Sequence, residues 1–371
     1  MSVTPILDLE QDPPAPKRRN RWLSLFAGGC LGAVIGLRSE LHLNLPAFNT
    51  LAFLAILYVS VAFHELGHLL AGKLVGMKPG AIIVGGFILH KSGTRWTFRF
   101  DYHRLLGGGG AALPLPPIGD FRVGPYAWMV AGGPLASLAL TLTALAGCYV
   151  YGLNSEWWGT LFWSGFVTVA FSVVPFSVDS LMSDGARLLL LWRRPAEARA
   201  WIGLVMLIAE ETNGVLPRDW NPELVELALT SAPERSSVRL FAYYRSLDLG
   251  DQTAAAVHLE AALANCASSG RLLRHAIFLN AACASAEHRR NVPQARTWMA
   301  RATKLRKPET TASIEADIAQ CEGRYNDALR HIAESRAFLD RRKLDSGVAR
   351  FARRRLDRIE SECRNALAAG V

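Results

Sequence analysis

From Tyr126 to Leu153 the chain carries no charged side chain, and from Trp157 to Phe176 it again carries none. Uncharged runs of roughly 20 residues are rare in soluble folds and match the helix length that crosses a bilayer core of about 30 Å. Two further stretches accompany them. Leu45 to Leu70 is long enough to cross but contains His64, Glu65 and His68, and Trp22 to Leu37 is a shorter apolar run. The sequence therefore predicts about four spans. The chain is 50% apolar and 20% charged, which excludes a disordered protein.

The placement of charge predicts the topology. Lys17, Arg18, Arg19 and Arg21 precede the first run. Only Arg38 and Glu40 separate it from the second. Seven basic residues, from Lys73 to Arg122, follow the second span. Glu156 alone separates the third from the fourth, and Arg187, Arg193, Arg194 and Arg199 come after it. Positive charge alternates with each crossing, as the positive-inside rule expects. Both termini and the Lys73–Arg122 segment are then cytosolic. The net charge of +9 marks an inner membrane face and lipid contact, not nucleic acid. The expected location is the bacterial inner membrane, as a multi-pass protein. Residues 1–21, rich in Pro and then basic, are expected as a disordered cytosolic tail with an uncleaved anchor after it.

Within the segment after the second span, Trp96, Phe98, Phe100 and Tyr102 alternate with Arg95, Thr97, Arg99 and Asp101. That is strand periodicity with one aromatic face. Gly80 to His90 is a second strand-like run, and Lys91 to Thr94 a turn. An amphipathic β-hairpin is expected against the membrane or the bundle, with an edge able to pair with an extended substrate segment. Gly107 to Gly110 is expected as a flexible loop.

The chemistry lies in His64-Glu65-Leu66-Gly67-His68. Residues four apart share one helix face, so both imidazoles can meet one metal ion, and Glu65 can reach a water on it. Zinc takes three protein ligands plus water and lowers that water's pKa to about 7. Glu65 can then shuttle the proton to a leaving amine. Ionisable groups on an otherwise apolar span are costly and mark function. A third ligand is needed from another element. Asp179, Asp184, His90 and His103 are the candidates. Asp184 is preferred, since it follows the fourth span on the side where the second ends, and Gly185 permits close backbone approach.

These motifs resemble the site-2 protease family, the intramembrane zinc metalloproteases. The resemblance rests on His64-Glu65-x-x-His68, on Gly133-Pro134 in a later span, and on Ser172-Val173-Val174-Pro175 followed by Asp184-Gly185. Together these cover roughly residues 50–192. The resemblance implies His64, His68 and Asp184 as ligands of one zinc ion per chain and Glu65 as acid/base. It also implies that Ser172, Pro175, Gly133, Pro134 and Ser137 position substrate, stabilise the oxyanion or support the site. Ser172 and Ser137 stand where the family usually has Asn. Small residues Ala131, Gly132, Gly133, Ala136 and Ser137 are expected to pack against the metal-bearing helix.

Toward the C-terminus, Ala255 and Ala262, Ala295 and Ala302, then Ala328 and Ser335 recur with seven-residue spacing. Corresponding positions lie about 40 and about 33 residues apart, near the roughly 34 of tetratricopeptide helix pairs. The array resembles that type from about Ser236 to Arg342. The six cysteines show no zinc-site spacing and are expected as free thiols.

The expected fold is mainly α. A membrane-embedded metalloprotease domain (22–195) with a small β-hairpin leads through a connector (196–235) into a cytosolic tetratricopeptide-like domain (236–371). The expected function is hydrolysis of a peptide bond in or near a transmembrane segment of another protein. The alternative is a catalytically weak zinc-binding membrane scaffold whose repeats bind a protein partner.

Overall fold

The computed structural model describes residues 50–92, 95–100, 109–117, 119–151, 156–178, 181–288, 290–305 and 311–369. The chain divides into two compact units, one built on Trp96–Met206 with residues before Lys91, the other on Leu207–Val371. The expected tail 1–21 and the Trp22–Leu37 run lie outside the described residues.

In the first unit, α1 (Thr50–Leu74) is apolar almost throughout. It stops at Gly76, whose φ of +88° only glycine adopts at little cost. There Met77 N–H bonds to the Gly72 carbonyl at 2.9 Å and Gly76 N–H to the Lys73 carbonyl at 3.1 Å, which satisfies the carbonyls left over at a helix end. α2 (Val123–Tyr151) crosses α1 with the backbones almost touching. A Cβ on Gly67 would lie 2.9 Å from the Gly132 carbonyl carbon, and one on Gly132 3.0 Å from that of Gly67. The small face of α2 thus meets the His-bearing helix, as the sequence leads one to expect.

α3 (Glu156–Val173) is shorter than the expected fourth span, which ran to Phe176. Pro175 ends it, because the residue before a proline is pushed out of the helical region. Among the described residues two helical stretches are long and apolar enough to cross a membrane, Ala55–Leu74 and Val123–Tyr151. Glu156 and three tryptophans keep α3 below that measure.

The expected hairpin is a four-stranded antiparallel sheet of order β3-β2-β1-β4. The run Gly80–His90 is not one strand. It breaks at Gly85, φ +53°, into β1 (Lys78–Val84) and β2 (Phe87–Ser92), with Val84 opposite Phe87 and Ala81 opposite His90. β3 is Arg95–Phe100. β4 (Gly110–Leu115) pairs with β1 and turns part of the expected glycine loop into a strand. Its Ala-Ala-Leu-Pro sequence has weak strand propensity, and Pro114 is tolerated because β4 is an edge. Trp96, Phe98 and Phe100 are exposed while Thr97 is buried. The aromatic face therefore does not pack on the bundle; Phe87 joins it, 5.1 Å from Phe100 between ring centres.

After α3, a two-residue ladder pairs β5 (Ser177–Val178) with β6 (Leu181–Met182). It leads into α4 (Asp184–Arg193). α5 (Pro195–Thr212) follows.

The second unit is all helical: α6 (Pro222–Ser231), α7 (Ser236–Asp248), α8 (Gln252–Ala264), α9 (Arg271–Glu287), α10 (Val292–Leu305), α11 (Ala312–Cys321), α12 (Tyr325–Arg341) and α13 (Gly347–Ala368). Residues 196–235, expected as a connector, are largely the ordered helices α5 and α6. Between them Trp220 is buried and donates Nε1–H to the Val215 carbonyl at 3.0 Å. The recurring small residues point inward: Ala255, Ala262, Ala295, Ala302, Ala328 and Ser335 are all buried. α7 to α11 contribute to one core that includes Ile277, Phe278, Trp298 and Ile318. α11 to α13 enclose another around Ile332, Leu356 and Ile359. Cys148, Cys266, Cys283, Cys321 and Cys363 are free thiols.

Candidate metal centre

α1 places His64, Glu65 and His68 on one turn, all buried. The loop after α3 brings Asp184 to them. Ser183, not Asp184, caps α4: its Oγ accepts from Ala186 N–H at 3.2 Å. The same hydroxyl donates to the Val174 carbonyl at 2.7 Å and accepts from Phe176 N–H at 3.1 Å. Asp184 is freed from capping and held in the first helical turn. Gly185 lies so close to α3 that a Cβ would stand 2.7 Å from the Val173 carbonyl carbon. The Asp-Gly pair is thus a docking requirement: any larger residue would lift Asp184 away.

Three donor atoms converge. His64 Nε2 is 3.0 Å from Asp184 Oδ2, His68 Nε2 is 3.4 Å from the same oxygen, and the two Nε2 atoms are 3.2 Å apart. Ligands at zinc distances of about 2.0–2.1 Å in a tetrahedron are about 3.3 Å from one another, so the trio has the dimensions of one face of such a site. Its chemistry agrees. His68 Nδ1 lies 2.9 Å from the Met129 carbonyl, which only accepts, so Nδ1 carries the proton and Nε2 offers a lone pair. The Gly133 amide approaches the same nitrogen at 3.3 Å, the longer contact. Two imidazoles plus a carboxylate at these separations suit zinc. Asp184 Oδ1, turned away from the trio, takes Arg187 Nη1 at 3.3 Å. Glu65 is not one of the three. Its carboxyl lies beside them against the backbone of Gly110, where a Cβ would come within 2.8 Å of Cδ.

A family model, that of peptidase family M50, matches residues 52–333. The chain belongs to peptidase family M50. No curated protein and no solved structure matches it. Membership makes this M50 chain a metallopeptidase in general terms, in a family that depends on zinc and is generally membrane-embedded. His64, His68 and Asp184 form the group in it, among the described residues, that could hold a metal ion.

The other residues singled out in this M50 sequence fall in different places. Ser137 meets the site from behind, with Oγ 2.9 Å from His64 Nδ1. Gly133 is buried against both rings, and its Cβ would lie 2.7 Å from His64 Nε2 and collide with His68 Nε2. Pro134 is buried beside it within α2. Ser172 turns back to the Val169 carbonyl of its own helix at 3.4 Å, and Pro175 is exposed in the loop. His90 is in the sheet, bonded to the Thr97 hydroxyl. Asp179 and His103 lie outside the described residues. Met129, Arg187 and Gly110 gave no sequence signal. A backbone carbonyl, an i,i+3 arginine and a strand-edge glycine acquire meaning only from what they touch.

Gly133→Ala is expected to weaken zinc binding by more than about 10-fold, since the added methyl displaces both ligand rings. Zinc retained after dialysis against a graded chelator measures this, and wild-type retention would refute the steric reading.

Proposed function

We propose that this chain is an intramembrane zinc metalloendopeptidase that cleaves a transmembrane segment of another protein. The observation that supports it best is the buried His64–His68–Asp184 trio with Glu65 beside it, on a helix apolar enough to cross a membrane. In this reading residues 22–195 are the membrane-embedded catalytic domain, with about four spans and both termini cytosolic in a bacterial inner membrane. When bound, zinc supplies Lewis acidity and makes water a nucleophile near neutral pH. Glu65 accepts the proton of the attacking water on its carboxylate and passes it to the nitrogen of the departing amine. The substrate helix must unwind locally, because helical amides are internally bonded and shield the scissile carbonyl. The outer edge of β4 is suited to receive the unwound segment. It starts at Gly110, against Glu65, and an edge strand offers unpaired backbone groups to an extended peptide.

Residues 236–371 are proposed to form a tetratricopeptide-like array that recruits the cytosolic part of the substrate or a protein partner. Deleting 236–371 is then expected to lower cleavage of a native substrate at least several-fold more than cleavage of a generic membrane peptide. Equal losses would count against recruitment. A second reading, a zinc-stabilised scaffold with little catalysis, draws on Ser137 and Ser172, whose hydroxyls are engaged with His64 and with helix α3. Zinc content measured alongside cleavage of membrane-embedded substrates separates the two. Full zinc occupancy with no cleavage of any substrate would favour the scaffold.

A further inference from the structure

The bundle interior holds hydroxyls for which proton transfer by Glu65 has no use. Ser60, Ser137 and Ser164 are fully buried, and Thr141 and Thr160 nearly so. Burying a hydroxyl in apolar surroundings costs free energy unless it is hydrogen-bonded. Ser60 Oγ and Ser164 Oγ are 2.6 Å apart, between α1 and α3. Thr141 Oγ1 donates to the Ser137 carbonyl one turn back at 2.7 Å. Gly165, next to Ser164, packs on Thr141, where a Cβ would stand 2.6 Å from Oγ1. Ser137 differs from the others. Among the described residues its hydroxyl meets, across the bundle, the outer nitrogen of His64, at 2.9 Å.

We propose that Ser137 is a positioning residue for the metal centre: its oxygen accepts Nδ1–H of His64 and holds that ring with Nε2 facing Asp184 and His68. The two imidazoles are then oriented by different means. His68 is held by the Met129 main-chain carbonyl, which no substitution removes. His64 is held by a side chain and can be released. The outer hydrogen bond selects which imidazole nitrogen is protonated and so which one ligates. A ring without that partner can rotate or exchange tautomer, and the lone pair that should face the metal is then lost part of the time. This role differs from a substrate or oxyanion contact at the same position: it acts on metal affinity in the absence of any substrate.

The inference rests on the zinc reading proposed above, and the measurement separates the two. Zinc and cobalt affinities of purified full-length protein are determined by chelator competition, without substrate. Ser137→Ala is expected to bind zinc about 10- to 100-fold more weakly than wild type. Ser137→Thr keeps the hydroxyl and is expected to restore affinity to within about 3-fold. Thr141→Val removes a neighbouring buried hydroxyl that does not touch His64 and is expected to stay within the same margin. The positioning role is overturned if Ser137→Ala binds as tightly as wild type, or if Thr141→Val loses as much. Should the alanine variant not fold, 15N spectra of zinc-loaded wild type decide. A protonated Nδ1 on His64 is expected, and an Nδ1 bonded to zinc overturns the assignment. If wild type binds no zinc at all, the metalloprotease reading falls first and this inference with it.

Discussion

Glu65→Gln should leave zinc bound while lowering cleavage by about 10²–10⁴-fold, the usual worth of a positioned general base. The amide has nearly the same shape as the carboxylate, so the packing against Gly110 survives. It cannot accept the water's proton. Zinc should remain, since the three converging atoms belong to His64, His68 and Asp184 and not to Glu65. Paired measurements make the result interpretable. Zinc per chain by elemental analysis reports the site, and cleavage of a membrane-embedded substrate reports the chemistry. Unchanged cleavage would remove Glu65 from the mechanism. Loss of zinc together with cleavage would make it a ligand.

The second large effect is expected far from the metal. Arg355 on α13, one-tenth exposed, bonds Glu287 at the end of α9 at 2.5 Å and also bonds Asp317 on α11; Arg358 bonds Glu287 as well. Asp317 is fully enclosed, and burial pushes its carboxyl up to about 7 in spite of Arg355. Burial pushes Glu287 the same way, but Arg355, with help from His288 and Arg358, outweighs it and holds Glu287 below the usual range. Arg355→Met removes the cation shared by the two carboxyls, leaving Glu287 with Arg358 alone and the enclosed Asp317 without Arg355. Breaking such a pair costs about 3–5 kcal/mol. For a unit of this size that lowers the midpoint of thermal unfolding by on the order of 10 °C. A shift under about 2 °C would show that the cluster contributes little to holding α9, α11 and α13 together.

The same cluster predicts a pH dependence. Asp317 has a folded pKa near 7 against an ordinary 3.8, so its contribution is fully present below about 3.8 and is lost as pH rises through 7. Glu287 is shifted the other way, so its contribution is fully present above its ordinary value of 4.5 and is lost only as pH falls below it. Between pH 5 and pH 8 the Asp317 effect should dominate within this cluster. The midpoint of the second unit should fall across that range, and Asp317→Asn should flatten the fall. An Asn variant with an undiminished slope would refute the assignment to Asp317.

Much of the first unit was legible because its signals are local. Absence of charge over helical lengths marks α2 and most of α3, a long apolar run marks α1, and a four-residue spacing puts His64 and His68 on one face. The small residues of α2 announced a close crossing. The sheet was read less well. Its aromatic alternation identified β3, but β4 is made of a glycine, two alanines, two leucines and a proline and is a strand only because β1 offers it an edge. In the second unit the small residues that recur with seven-residue spacing are buried, because positions seven apart lie on one helix face. The acid–base cluster around Arg355 left no trace in the pattern, because its members come from three helices at unrelated offsets.

The sequence by itself determined that this chain carries two imidazoles four residues apart and a carboxylic acid on an apolar helix, and that its positive charge alternates across the long apolar runs. Those properties depend on residues within a few turns of one another. Tertiary structure decided the rest of the site. Asp184 lies 120 positions from His64 and reaches it because Ser183 closes the loop after α3 and Gly185 lets α4 approach Val173. Ser137 meets His64, and Gly133 makes room for both rings, because α1 and α2 cross where Gly67 and Gly132 let the backbones touch. A contact of this kind is fixed by the angle and depth at which two helices pack, and no periodicity along one chain segment encodes either.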